Sequence, residues 1–244
     1  MEKFKTIIAI DDTDEIGYFI STGEICENIA KYIREKYSNT SAITRHQLFL
    51  HEDIPYTSHN SSMCFTCDLF LKEFEDIKKY ILNYVSNISA PSSSGGVAMV
   101  FEKDIKDIKQ LINYGFDAKN KVLNKKIAYN LAKEQNIFLK EIKNEGNGII
   151  GALAGIALRL SGNDGRLRGK VKLKAQKLNA KELLEDKIID DIKLPNNQKL
   201  DLSKEIFFDD SSLKWILKNN KKTLLIKDSN EFYIPLNKEE LTIY

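Results

Sequence analysis

The sequence predicts an α/β fold, with α+β as the alternative: a mixed sheet with flanking helices, followed by a smaller C-terminal segment containing short β-runs. Three observations carry this prediction. Short apolar runs bounded by turn residues alternate with segments whose apolar residues recur at helical spacing, which reads as strand–helix alternation. Of 244 residues, 42% are hydrophobic and 30% charged, enough apolar material for a core and too much for global disorder. No run reaches the roughly 20 apolar residues of a membrane span, and the start Met1-Glu2-Lys3-Phe4-Lys5 is not followed by a signal-peptide apolar core. A cytoplasmic protein is therefore expected.

The elements follow in order. Residues 5–10 form a buried strand that stops at Asp11-Asp12-Thr13-Asp14. Ser21 with Glu24 three positions later is a capping box, and Ile25, Ile29, Ile33 and Tyr37 give the helix behind it. Strands are expected near residues 42–50 and 63–71, around a polar loop at 51–62. Phe74, Ile77, Ile81 and Val85 mark a second helix, ended by Ala90-Pro91. A small-residue loop at 92–96 leads into the apolar run 97–101. Ile105, Ile108 and Ile112 define a helix that should stop at Gly115. A Lys-rich helix at 125–133 precedes a strand at 137–142. Residues 149–160 are apolar almost all round and read as a buried helix. Beyond Gly169 the pattern loosens, with β-like runs at 223–226 and 231–234.

Several motifs could carry chemistry. Asp11, Asp12 and Asp14 stand where a strand ends, the place where α/β sheets put their ligand crevice, and such carboxylates suit Mg²⁺ with nucleotide phosphates. The alternative is a solvated acidic turn. Strand alternation would point Asp11 and Asp12 to opposite faces unless the chain turns between them. Ser21 and Thr22 begin a helix, where free N–H groups favour anions. Capping explains Ser21, whereas Thr22 has less structural reason to be there. Gly146-Asn147-Gly148-Ile149-Ile150-Gly151 matches Gly-x-Gly-x-x-Gly between a strand and a helix, and phosphate contact competes there with close packing. No Gly-Lys-Ser/Thr follows, so it is not a Walker A loop.

Arg45, His46, Tyr56, Thr57, Ser58, His59, Asn60 and Ser61 supply a dense set of donors and acceptors, read as a substrate loop. The histidines at 46, 51 and 59 lack the spacing of a metal site. Cys64 and Cys67 sit in a strand pattern and should face opposite ways, and Cys26 reads as core. Three cysteines, with no second C-x-x-C, exclude a zinc ribbon. Only five of the 37 basic residues are arginine, and Arg159, Arg166 and Arg168 lie close together.

Taken in order, these strings resemble one family, the tRNA-Ile agmatinylcytidine synthetases (TiaS). Its Ile-Asp-Asp-Thr-Asp-Ser corresponds to residues 10–15, its Ile-Pro-Tyr/Trp-Lys-Thr-Arg-Gly-Asn loop to 54–61, and its Gly-x-Gly-x-Ile-Gly-Ala-Leu-Ala stretch to 146–154. The resemblance spans about residues 5–175. It implies a kinase-like domain using Mg²⁺ and ATP in the attachment of agmatine to a tRNA cytidine. Asp11, Asp12 and Asp14 would then be the catalytic carboxylates, with metal on Asp11 and Asp12. The family's Thr-Thr falls on Ser21-Thr22. Two cations of the family loop are absent from Thr57-Ser58-His59-Asn60-Ser61, and a third from Gly146-Asn147-Gly148.

The full-length enzymes also carry an OB-fold and a zinc ribbon, so the chain is expected to be a short, stand-alone relative. Residues 1–175 form its kinase and ligand-binding region; 176–244 are a divergent segment packed on the same core. The net charge of +2 offers no basic surplus for a polyanion. A nucleotide and a small molecule, an amine among the candidates, are the expected partners, and tRNA follows from the resemblance but not from charge. The expected function is ATP- and Mg²⁺-dependent phosphoryl transfer or ligation. The alternatives are a non-catalytic nucleotide or small-ligand binder that kept the pocket, and an RNA-binding module.

Overall fold

The computed structural model describes residues 2–56, 59–169, 173, 175–185, 189–195, 198–208 and 213–244. It divides into two compact units, Met1–Ser161 and Gly162–Tyr244. The first ends fourteen residues before the boundary expected at 175.

In the first unit, five strands pair in the order β5-β4-β1-β3-β2. They are β1 (Phe4–Asp11), β2 (Thr44–Gln47), β3 (Ser61–Leu69), β4 (Gly96–Phe101) and β5 (Phe138–Glu141), and every pairing among them is antiparallel. The apolar run of β1 puts it at the centre, where both faces must be covered. Ile8 and Ile10 face a core formed with α1 (Thr22–Lys36) and α2 (Leu71–Ile88), through Ile25, Ile29, Ile33, Ile77, Ile81 and Val85. Ile7 and Ala9 face α3 (Ile108–Asp117), α4 (Lys125–Glu134) and α5 (Gly148–Ser161). Cys64 and Cys67 lie in these two opposite cores, as strand alternation requires.

Helix α5 is buried along almost its whole length because the strand residues beneath it are small. A Cβ on Gly155 would meet Ala9 Cβ at 3.2 Å and would overlap Ser62 Oγ. The same economy of space explains why α3 does not stop at Gly115 as expected. That glycine lies inside the helix, where a Cβ would come within 2.8 Å of Ala157 on α5. It marks a helix crossing rather than a helix end.

Among the described residues of the second unit, β6 (Arg166–Leu167), β7 (Lys177–Asn179), β8 (Asp191–Lys193), β9 (Glu205–Phe207), β10 (Ile216–Lys218), β11 (Lys221–Asp228) and β12 (Tyr233–Pro235) accompany one short helix, α6 (Ala180–Glu185). Their order is β6-β10-β11-β12-β9-β7, with β8 beside β11. The β8/β11 and β9/β12 pairings are parallel and the others antiparallel, so the chain as a whole is α/β with both kinds of pairing. Trp215, Ile206, Leu224, Ile226 and Tyr233 build this unit's core. Among the described residues, no helix is long and apolar enough to cross a membrane.

Candidate active site

The register of the first unit collects most of the chemically interesting strings at one end of its sheet. Asp11, the last residue of β1, pairs with Gly96 at the start of β4, and Gly96 pairs with Glu141 at the end of β5. On the other side, Gln47 at the end of β2 pairs with Ser61 at the start of β3. Helices α1 and α5 begin at this same end. Asp11, Asp12, Ser61 and the Gly146–Gly151 segment are thereby brought together.

The chain turns at Asp12, which adopts a left-handed conformation (φ 53°) rare for a residue with a side chain. This turn lets two adjacent carboxylates serve one region. The Asp12 N–H donates to Asp11 Oδ1 at 2.8 Å. Asp11 is buried, and its other oxygen lies against the first turn of α5, so that a Cβ on Gly151 would overlap Oδ2. Gly148 meets the same strand end, where a Cβ would lie 2.7 Å from the Asp11 carbonyl oxygen and 3.0 Å from Asp12 Cβ. The glycines at 148 and 151 are therefore required by the acidic residues beneath them.

Burial pushes the Asp11 carboxyl well above the ordinary carboxylate range, and the neighbouring Asp12 charge adds to this. Arg45 pulls in the opposite direction. Burial and then the Asp14 charge raise Asp12 to about 6, against a hydrogen bond from the Ser94 backbone. Two adjacent carboxylates that are both reluctant to ionise suit a cation. Mg²⁺ commonly takes one or two carboxylates and completes its shell with phosphate oxygens and water, and this donor pair fits it. Among the described residues, no three His, Cys, Asp or Glu side chains converge to hold an ion unaided.

The other members of the acidic motif are engaged in holding α1. Asp14 Oδ2 accepts the Thr22 N–H at 2.8 Å, and the buried Thr22 Oγ1 accepts from the Thr13 hydroxyl at 3.1 Å and from the Thr13 N–H at 3.4 Å. Thr22 thus has as clear a structural partner as Ser21. The Ser21 N–H donates to Glu24 Oε2 at 2.9 Å and Ser21 Oγ accepts from the Glu24 N–H at 3.3 Å, the capping box expected from the sequence, and the Ser21 hydroxyl adds a bond to Oε2 at 2.7 Å.

The substrate-loop candidates separate. Arg45 Nε donates to Ser61 Oγ at 2.9 Å, and Asn60 Nδ2 donates to the Phe49 carbonyl at 2.7 Å. Tyr56 and His59 are exposed. His46 is fully buried, its Nε2 2.8 Å from Thr44 Oγ1, which also accepts from Arg159 Nη1 at 3.1 Å. It belongs to a buried polar chain beneath α5. Thr57 and Ser58 lie outside the described residues. Gly146 is left-handed (φ 64°), and Asn147 Nδ2 donates to Glu145 Oε2 at 3.1 Å.

Sequence reasoning reads the loop at 92–96 only as a connection into the next strand. The Ser94 backbone hydrogen-bonds Asp12, the Ser94 carbonyl accepts the Gly148 N–H at 2.8 Å, and Ser92 Oγ donates to Glu15 Oε2. The signal is present as three serines followed by two glycines before an apolar run, a composition suited to close backbone approach.

No protein-family model and no curated protein matches the chain. Solved structures do match in fold. A tRNA fluorescent labeling enzyme aligns over 71% of this chain and 37% of its own, at 18% identity and TM-score 0.52. Apo TiaS, a tRNA agmatidine synthetase, aligns over 63% and 35%, at 19% identity and TM-score 0.52. TiaS in complex with its isoleucine tRNA and ATP aligns over 75% and 44%, at 17% identity and TM-score 0.57. The chain spans less than half the length of each of these proteins. The likeness establishes a shared fold with the TiaS structures.

Proposed function

We propose that the chain is an ATP- and Mg²⁺-dependent enzyme of the ligase or phosphoryl-transfer type, working at the sheet end built around Asp11 and Asp12. The observation that carries this reading is the carboxylate pair of buried Asp11 and half-buried Asp12 seated against the start of α5, in a fold shared with a structure solved with ATP bound. In this reading Asp11 and Asp12 hold Mg²⁺, which when bound neutralises phosphate charge. Asp14, Ser21 and Thr22 fix the approach of α1 to that point. Arg45 and Ser61 face the substrate side, and the Gly146–Gly151 segment and the Ser94 loop shape the phosphate space. Positioning and charge neutralisation supply the rate, since phosphoryl transfer asks little covalent help of the protein. The acceptor is proposed to be a small molecule, an amine first among the candidates, with tRNA as the larger alternative.

Incubation with Mg²⁺ and γ-labelled ATP tests the proposal. Nucleotide turnover or labelling of the chain that disappears in Asp11→Ala is the expected result, and absence of both in the wild type sinks the enzymatic reading. A second reading, a nucleotide or small-ligand binder without turnover, draws on the engagement of Asp14, Ser21 and Thr22 in scaffold hydrogen bonds. It predicts saturable stabilisation by Mg²⁺–ATP with no product.

A further inference from the structure

Residues 15–20, between the acidic motif and α1, form a closed excursion at the Asp11 end of the sheet. Its base is shut where Asp14 Oδ2 accepts the Thr22 N–H at 2.8 Å. A second tie joins it to the loop at 92–96: Ser92 Oγ donates to Glu15 Oε2, two residues before the Ser94 backbone that bonds Asp12. Within the excursion the Tyr18 N–H donates to the Glu15 carbonyl at 3.1 Å, closing a four-residue turn whose third position is the left-handed Gly17 (φ 81°). Ile20 packs against the core that holds Ile25, as a hydrophobic staple does ahead of a helix cap. Both ends and the turn are thus fixed, yet two large apolar side chains on it stand in solvent. Ile16 is 77% exposed and Phe19 72%. The half-buried Tyr18 backs Phe19, with ring centroids 4.5 Å apart and planes at 47°. Apolar surface held in water on an anchored turn forgoes the stabilisation that burial gives.

We propose that Phe19, flanked by Ile16, is the stacking platform for the base of a bound nucleotide; this rests on the nucleotide's phosphates being held at Asp11 and Asp12. A base tethered to phosphates held there settles on surface a few bonds away. The excursion, tied to Asp14 at its base and to the Ser92–Ser94 segment at its side, is such surface. An aromatic face with an aliphatic flank favours a flat π-system, and stacking of this kind accepts any base because every base has a π-face.

Isothermal titration of the full chain in Mg²⁺ compares non-hydrolysable β,γ-methylene-ATP with inorganic tripolyphosphate, which carries the phosphates without the base. Phe19→Ala is expected to weaken the nucleotide about 10-fold, within the range of base–aromatic stacking, and to leave tripolyphosphate within about 2-fold of wild type. Phe19→Leu, which keeps apolar bulk without a π-face, should resemble Phe19→Ala, whereas Phe19→Trp should bind the nucleotide at least as tightly as wild type. Circular dichroism should be unchanged in all three, since the side chain is exposed. Nucleotide affinity that survives Phe19→Ala but is lost in Asp11→Ala overturns the platform and leaves the carboxylate site standing. Equal weakening of both ligands by Phe19→Ala overturns it too. Self-association of the wild type that Phe19→Ala abolishes, with nucleotide affinity intact, assigns the surface to a second copy instead. Binding of neither ligand by the wild type overturns the platform and the nucleotide site together.

Discussion

Gly151→Ala tests the link between the acidic strand end and α5. In a helix interior this change ordinarily stabilises by about 0.5–1 kcal/mol, through backbone entropy. Here the new Cβ would overlap Asp11 Oδ2 and stand 3.0 Å from Leu48 Cδ1, so either the carboxylate swings away or α5 lifts off β1. Overpacking of this kind costs about 1–3 kcal/mol, which outweighs the helix gain and leaves a net loss of about 1–2 kcal/mol. Asp11→Ala removes the obstructing oxygen. Alone it should stabilise near pH 7, because burial and Asp12 penalise the ionised carboxylate. In that background Gly151→Ala should become neutral or mildly stabilising. Urea unfolding of the four proteins measures the coupling, expected to be about 2 kcal/mol. Additivity within about 0.5 kcal/mol would refute the contact, since residues without shared partners add to that precision.

The remaining predictions concern the same sheet end. Asp12 is raised from 3.8 to about 6, so the folded state holds its proton more tightly than the unfolded chain. The resulting stability is full below pH 3.8 and is lost as pH climbs through about 6. Asp12→Asn should therefore flatten the stability profile between about pH 4 and 6 and gain about 1–2 kcal/mol at pH 7, after allowing for solvent screening. Asparagine also tolerates the left-handed conformation. Mg²⁺ should shift the wild-type profile to lower pH, measured by thermal melts across pH with and without the ion, and shift that of Asp12→Asn less, since Asp11 alone remains. Ser21→Ala should cost about 1 kcal/mol through the lost cap, whereas Thr22→Val should cost about 1–3 kcal/mol because the buried Thr13 hydroxyl and N–H lose their acceptor. Urea midpoints for the two variants decide the order.

Much of the first unit is legible because periodicity and burial agree there. The run Ile7–Ile10 reads as a two-faced strand, and Ile25, Ile29 and Ile33 read as one helix face; both lie where expected. Gly115 reads as a stop because a glycine that ends a helix and one that lets another helix approach look alike in sequence. The contact with Ala157, 42 positions away, decides between them. His46 reads as a substrate donor within an expected strand, and only the register against β3 reveals that its side chain turns to the α5 side. The second unit is legible only in part, since strands of two or three residues leave too few positions for alternation to register.

The acidic motif shows why a chemical string need not be chemically uniform. Four adjacent residues divide between two tasks according to where the backbone turns. Asp11 still obeys strand alternation and is driven under α5, where Gly151 leaves room for one oxygen. Asp12, in its left-handed turn, is redirected toward the Ser94 backbone. The chain then moves toward α1, so Thr13 and Asp14 meet Thr22 and fix the helix instead. Burial raises the two carboxylates at the strand end, whose single backbone donors do not offset the lost hydration. The carboxylate paired to a helix N–H belongs to the scaffold. A cation entering here would meet Asp11 and Asp12 first, with Asp14 already committed.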